Sequence, residues 1–225
     1  MISKLPRWVE YGAFLLAFIA GCVNAIGLLG FEHQSISHLS GTATLLGTSI
    51  LDGPYQRILH LIAILFCFFL GAALSGFLLR GRALKLGRHY DTALFIESLL
   101  LIGAIYFLNN ESIIGHMMAS AACGLQNALA TTYSGAVVRT THITGIVTDL
   151  GIIFGEAIKG KKLDRRKAVL FVLIILGFIL GGSFGAYLFA TFGFTGLVAP
   201  GAMCFCLAVT YRIYRRSKKL RVQTN

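Results

Sequence analysis

The chain has 225 residues, of which 56% are hydrophobic and only 13% charged, with 26 glycines and a formal charge of +11. Soluble domains carry roughly 25% charged residues, so a water-soluble single-domain enzyme is excluded and an integral membrane protein with little chain outside the bilayer remains. The basic residues lie in short tracts between apolar stretches, which is the positive-inside pattern and argues against nucleic acid as a partner.

The first apolar stretch covers residues 9–31. Lys4 and Arg7 precede it, and Ile19-Ala20-Gly21-Cys22 matches a lipoprotein-type cleavage pattern, but residues 23–31 stay apolar. The stretch therefore reads as a retained first span. Further apolar stretches cover 38–51, 58–79, 92–108, 113–133, 142–158, 168–189 and 194–214. A helical crossing takes about 20 residues. The second and sixth stretches are short and rich in Gly, Ser, Thr and His, so they are expected to enter the membrane without crossing it. Cys22, Cys67, Cys123, Cys204 and Cys206 all fall inside apolar stretches without disulfide or zinc spacing. His33, His60, His89 and His116 have no metal-ligand spacing either, and neither metal nor cofactor is expected.

The chain repeats itself. Gly21, Asn24 and Ala25 return as Gly124, Asn127 and Ala128, an offset of 103. His38, Gly41, Thr44, Leu46 and Gly47 return as His142, Gly145, Thr148, Leu150 and Gly151, an offset of 104, with Ser40 answered by Thr144. Gly71, Ser75 and Gly76 are loosely echoed by Gly181 and Gly185. One membrane domain, 1–225, thus contains two repeats of approximately 1–110 and 111–225. Gly177, Gly181 and Gly185 form a small-xxx-small ridge expected to pack helices.

All the Lys and Arg residues except Arg57 and Arg139 lie in four tracts, at 4–7, 80–88, 159–167 and 212–221. Eight crossings would put the 80–88 tract and Arg139 outside. If the second and sixth stretches do not cross, Arg57 alone lies outside, a far better fit to the positive-inside rule. The fold expected is an all-α membrane protein with about six crossing helices, two short re-entrant or broken helices, and halves inverted relative to each other. Both termini then face the cytoplasm of a bacterial inner membrane.

A helix that begins in mid-bilayer exposes backbone N–H groups that nothing apolar can satisfy. His-x-[Ser/Thr]-Gly supplies a capping hydroxyl, a glycine for close approach and an imidazole. Two such ends meeting near the midplane would suit a small anion or a polar neutral molecule. The candidate substrate-binding residues are His38, Ser40, Gly41, Thr44, His142, Thr144, Gly145 and Thr148, with Asn24 and Asn127 as polar points on the first crossing of each half. For the single hydroxyls, helix packing is the competing role. Asp149 and Glu97 are the intramembrane acids. Asp149 reads either as a proton or cation coupling group with His142 or as half of a fixed salt bridge, for instance to Arg139; Glu97 either shares the coupling role or lies at the headgroups.

Asn24-Ala25, the Ser37-to-Thr42 run ending at Leu46-Gly47, Gln126-Asn127-Ala128 and the Thr141-to-Gly145 run with Thr148 and Leu150-Gly151 resemble the YoaK family. Members often carry Asp-Ala where Asn24-Ala25 stands here, and Met-Thr-Gly-Asn-Thr in place of Leu39-Ser40-Gly41-Thr42-Ala43. The resemblance implies a polytopic bacterial inner-membrane protein of uncharacterised function and brings no substrate.

The function expected is a transporter or channel for a small anion or small polar solute. The alternative is a non-transport scaffold or assembly subunit, with the glycine ridges serving oligomerisation. No nucleophile–His–acid constellation or phosphate-cradling loop is present in the sequence, so no enzyme is expected. The expected partners are the lipid bilayer, a small-molecule or ion substrate and, through the ridges, further copies of the chain.

Overall fold

A computed structural model describes residues 8–30, 36–79, 89–134 and 139–223. Lys4, Arg7, His33 and the basic tract at 80–88 lie outside the described residues. Eight helices follow one another: α1 (Trp8–Gly30), α2 (Leu39–Asp52), α3 (Tyr55–Leu78), α4 (Tyr90–Asn109), α5 (Ile113–Ser134), α6 (Ile143–Ile158), α7 (Arg165–Phe192) and α8 (Val198–Gln223). A short 3-10 turn, Gly193–Leu197, joins the last two. No strand occurs among the described residues.

Among the described residues four helical runs are long and apolar enough to cross a membrane: Val9–Gly30, Tyr55–Leu78, Tyr90–Asn109 and Arg165–Ser217. The last has 53 residues, about 80 Å if straight and far more than one hydrocarbon core requires. It holds α7, the turn and most of α8, and Gly193 interrupts it with a φ of 58° that suits glycine. α2 and α6 have 14 and 16 residues, about 21 and 24 Å, less than the roughly 30 Å of a bilayer core.

The outward faces of these helices are apolar, with Phe66, Phe69, Phe77, Leu99, Tyr106 and Tyr187 all exposed. A bundle that shows such a face has lipid as its solvent, and the protein is read as a membrane protein. Lipid gives no hydrophobic drive between helices, so close backbone contact must hold them together. Glycine supplies it. An added Cβ at Gly21 would collide with the Phe178 carbonyl, one at Gly181 with that of Phe18, and one at Gly185 with that of Cys22. The ridge on α7 therefore packs on α1. The same device joins α3 to α5, where Gly124 lies against the Phe68 carbonyl and Gly71 against that of Ala121.

Contact order gives the directions. Phe18 meets Gly181 and Cys22 meets Gly185, so α1 and α7 run parallel. His60 meets His116, Ile64 meets Ser120 and Phe68 meets Gly124, so α3 and α5 also run parallel. Between α4 and α8 the numbers run oppositely: Asp91 pairs with Arg215, Tyr90 with Tyr211, Phe95 with Phe205 and Ser98 with Gly201. These two helices are antiparallel. α2 lies on α3 and α6 on α7, at the margin of the bundle.

The buried core divides into two clusters along the bundle, one around Phe171, Ile174 and Leu125, the other around Ile26, Leu101 and Leu197. Ion pairs link Arg166 to Glu10 at 3.1 Å and Arg215 to Asp91 at 3.5 Å. The first ties the start of α1 to the start of α7, and the second ties the start of α4 to the end of α8.

Candidate functional site

The starts of α2 and α6 face a common cavity of about 540 Å³. Ser37, His38, Leu39 and Ser40 line it from the α2 side, and Arg139, Thr141, His142 and Thr144 from the α6 side. Phe68 of α3 and Asn127 and Thr131 of α5 complete the wall. Among the described residues that line it, none is acidic.

Each half builds its part in the same way. His38 and His142 occupy the N-cap positions, with φ, ψ of −93°, 70° and −92°, 57°. The His38 carbonyl accepts from the Thr42 N–H and the His142 carbonyl from the Ile146 N–H, each at 3.2 Å. Neither histidine caps its helix through its side chain, so among the described residues no side-chain cap covers the first-turn N–H groups at the positive end of the helix dipole. The glycine three residues on lets the imidazole lie back over the helix start. A Cβ on Gly41 would come 3.3 Å from the His38 ring, and one on Gly145 would collide with the His142 ring.

Of the residues predicted from sequence, the structure brings His38, Ser40, His142, Thr144 and Asn127 to the cavity. Gly41 and Gly145 stand behind the two imidazoles. The expected capping hydroxyl is absent: Ser40 and Thr144 fall inside the first turn because the chain enters the helix one residue after the histidine. Thr44 and Thr148 do not line the cavity; each hydroxyl donates to a carbonyl one turn back, Ser40 and Thr144 respectively, at 2.9 Å. Asn24 acts one step away. Its Oδ1 accepts from the Ser37 N–H at 3.1 Å and from the Ser37 hydroxyl at 2.8 Å, pinning the chain that leads into α2.

The two acids lie elsewhere. Asp149 Oδ2 is 3.8 Å from Lys167 Nζ of α7, so its ion pair is with that residue and not with Arg139. Glu97 is buried in α4, hydrogen-bonded to the Cys204 thiol, and its Oε2 has no partner among the described residues. It is a core residue of the bundle. Among the described residues no group of three or more His, Cys, Asp and Glu is placed to hold a metal.

Sequence reasoning missed Arg139 as a lining residue, and with it Phe68, Thr131, Ser37 and Thr141. One signal for Arg139 was present: it stands outside every basic tract, three residues before His142. For Phe68 and Thr131 no sequence signal existed, since they reach the cavity only through the α3–α5 pairing.

The model of one family, described as "Protein of unknown function (DUF1275)", matches residues 12–210. An uncharacterised family is what the resemblance implied, although this description does not carry the name YoaK. No curated protein and no solved structure matches the chain.

Proposed function

We propose, starting from the fact that the chain belongs to DUF1275, a family of unknown function, that it is a membrane transporter or channel for a small anion or small polar solute. The observation that carries this reading is the cavity shared by two uncapped helix starts from the two halves of the chain. Free N–H groups and dipole ends of this kind bind negative or strongly polar groups in a medium that offers no water.

The proposed topology has six crossings, with α2 and α6 re-entrant and the two halves inverted. Helix direction supports it. Eight alternating crossings would make α4 and α8 parallel, whereas they are antiparallel; omitting only one short helix would make α1 and α7 antiparallel, whereas they are parallel. Omitting both satisfies each pair. The glycine contacts support the repeat: Gly21 on Phe178 is matched by Gly124 on Phe68, and Gly181 on Phe18 by Gly71 on Ala121. In this topology α2 and α6 start at mid-depth and run back to opposite faces. The ion-paired end that holds the starts of α1 and α7 and the end of α8 is then the cytoplasmic one, and the membrane is the bacterial inner membrane.

The test is charge movement by the reconstituted protein on solid-supported membranes, across a panel of small anions, nucleobases and amino acids at two pH values. His142→Ala and Gly145→Leu are expected to abolish the response while the protein stays monodisperse. Undiminished currents in both variants would rule the cavity out as the path. A partner that co-purifies reproducibly, together with silence throughout the panel and in uptake assays, would favour the scaffold role.

A further inference from the structure

We infer that the cavity recognises an organic carboxylate through the guanidinium of Arg139. The inference rests on reading this cavity as the substrate site and narrows its ligand to one class.

Charge comes first. Among the described lining residues Arg139 is the one Lys, Arg, Asp or Glu side chain. Asp149, the acid nearest to it in sequence, is engaged with Lys167 at 3.8 Å. Arg139 itself makes no ion pair or hydrogen bond with any described residue. Arg139 is exposed on the cavity wall, and charged side chains of membrane bundles that face such cavities mark substrate or ion paths. The dipole ends of α2 and α6 add to the same sign.

Shape and wall chemistry then select among anions. The guanidinium is a planar fork that matches a carboxylate with two parallel hydrogen bonds, while Ser40, Thr144 and the imidazoles supply further polar contacts. A volume of about 540 Å³ is far more than a halide or a tetrahedral inorganic ion fills. Leu39 and Phe68 form an apolar part of the wall that such ions cannot use and that a hydrocarbon or aromatic body can. A phosphate monoester carries about 1.5–2 charges at neutral pH and would outweigh a single guanidinium.

The site is also lopsided. At the offset that aligns the two histidines, the counterpart of Arg139 is Ser35. Charge therefore comes from the chain entering α6 and apolar wall from Leu39 and Phe68 of the first half. A ligand with an anionic head and an apolar body fits that division, and inorganic ions do not.

The experiment is calorimetric binding to the full-length protein in nanodiscs, run beside uptake into proteoliposomes. The probes are propionate and benzoate, their amides propionamide and benzamide, phenyl phosphate, inorganic phosphate and chloride. The two carboxylates are expected to bind at least about tenfold more tightly than the matched amides, the scale of a charge-assisted bidentate pair. Arg139→Gln should erase that preference and Arg139→Lys, which keeps the charge without the fork, should restore part of it. An unchanged ligand-free unfolding temperature shows that Arg139→Gln is folded; should it fail to fold, the carboxylate-to-amide ratio of the parent and of Arg139→Lys decides. Amides bound as well as acids, a preference for either phosphate or for chloride, or carboxylate binding undiminished in Arg139→Gln overturns the inference. Uptake of amides alone would overturn the ligand class and leave transport standing. Carboxylate binding that depends on Arg139 without any uptake would do the reverse. Absence of both binding and uptake across the panel overturns both.

Discussion

His60 and His116 meet inside the bundle, Nε2 to Nδ1 at 3.3 Å, and both side chains are buried. From sequence the two read as unrelated residues near stretch ends; only the parallel packing of α3 on α5 joins them. The offsets of 103 and 110 that relate the helix contacts of the two halves put Ala13 opposite His116 and Leu170 opposite His60. Both of those are buried apolar residues of the α1–α7 interface. The α1–α7 interface therefore shows what the position looks like without the pair. Replacing both partners of a buried hydrogen bond by apolar groups that fill the space is close to neutral, whereas removing one leaves the other without that bond, at a cost of about 1–3 kcal/mol. The double variant His60→Leu with His116→Ala is expected to unfold in detergent near the parent temperature, and His60→Leu alone clearly below it. Equal unfolding temperatures for the single variant and the parent would mean that the pair contributes nothing to the fold.

At the scale of the helices, glycine decides where backbones meet. A methyl group at Gly124 would run into the Phe68 carbonyl, so Gly124→Ala has to push α5 off α3; overpacking of this kind costs typically about 1–3 kcal/mol. Gly47 of α2 and Gly151 of α6 have nothing within 4 Å of an added Cβ. Gly47→Ala and Gly151→Ala should therefore be neutral or slightly stabilising, since alanine is the better helix former. Unfolding temperatures and monodispersity of the three variants check this; equal loss in all three would mean that close approach is not what Gly124 provides. Much of this level was legible in the sequence. Apolar run length located α1 to α7 within a few residues but ended α8 at 214, whereas its basic last turns carry the helix on to Gln223; the shortness of 38–51 and 142–158 marked α2 and α6, and the 177–181–185 spacing marked a packing ridge. Which helix the ridge packs on was not legible, because α1 and α7 are far apart in the chain. The site was legible in the same measure. The repeated His-x-[Ser/Thr]-Gly pointed to the two helix starts, since a duplicated imidazole has no packing purpose. It misplaced the cap, because where the chain turns into the helix decides which residue caps, and the turn follows the histidine directly. It also drew Asp149 towards His142, although seven residues along a helix is about 10 Å, enough to bring Lys167 of α7 within reach instead.

For the whole molecule, direction and charge constrain topology together. The antiparallel α4–α8 pair and the parallel α1–α7 pair are internal facts of the bundle, independent of any rule about loops. The distribution of Lys and Arg is a separate fact about the sequence, and it favours the same six-crossing arrangement. In that arrangement the α2–α3 and α4–α5 connections lie outside and the α6–α7 connection lies in the cytoplasm. With eight crossings all three would share one side. Gln56, Asn110 and Lys162 are exposed in those connections, or at their edges, and suit single-cysteine reporters in a background from which the five native cysteines have been removed. A membrane-impermeant maleimide added to whole spheroplasts should label Gln56→Cys and Asn110→Cys, and Lys162→Cys should react only in inverted vesicles. Labelling of all three from one side would remove the inversion, and with it the reason for two half-length helices to start at the same depth. The cavity would then be a surface recess, and the transport reading would lose its physical basis even if His38, Arg139 and His142 still bound a ligand there.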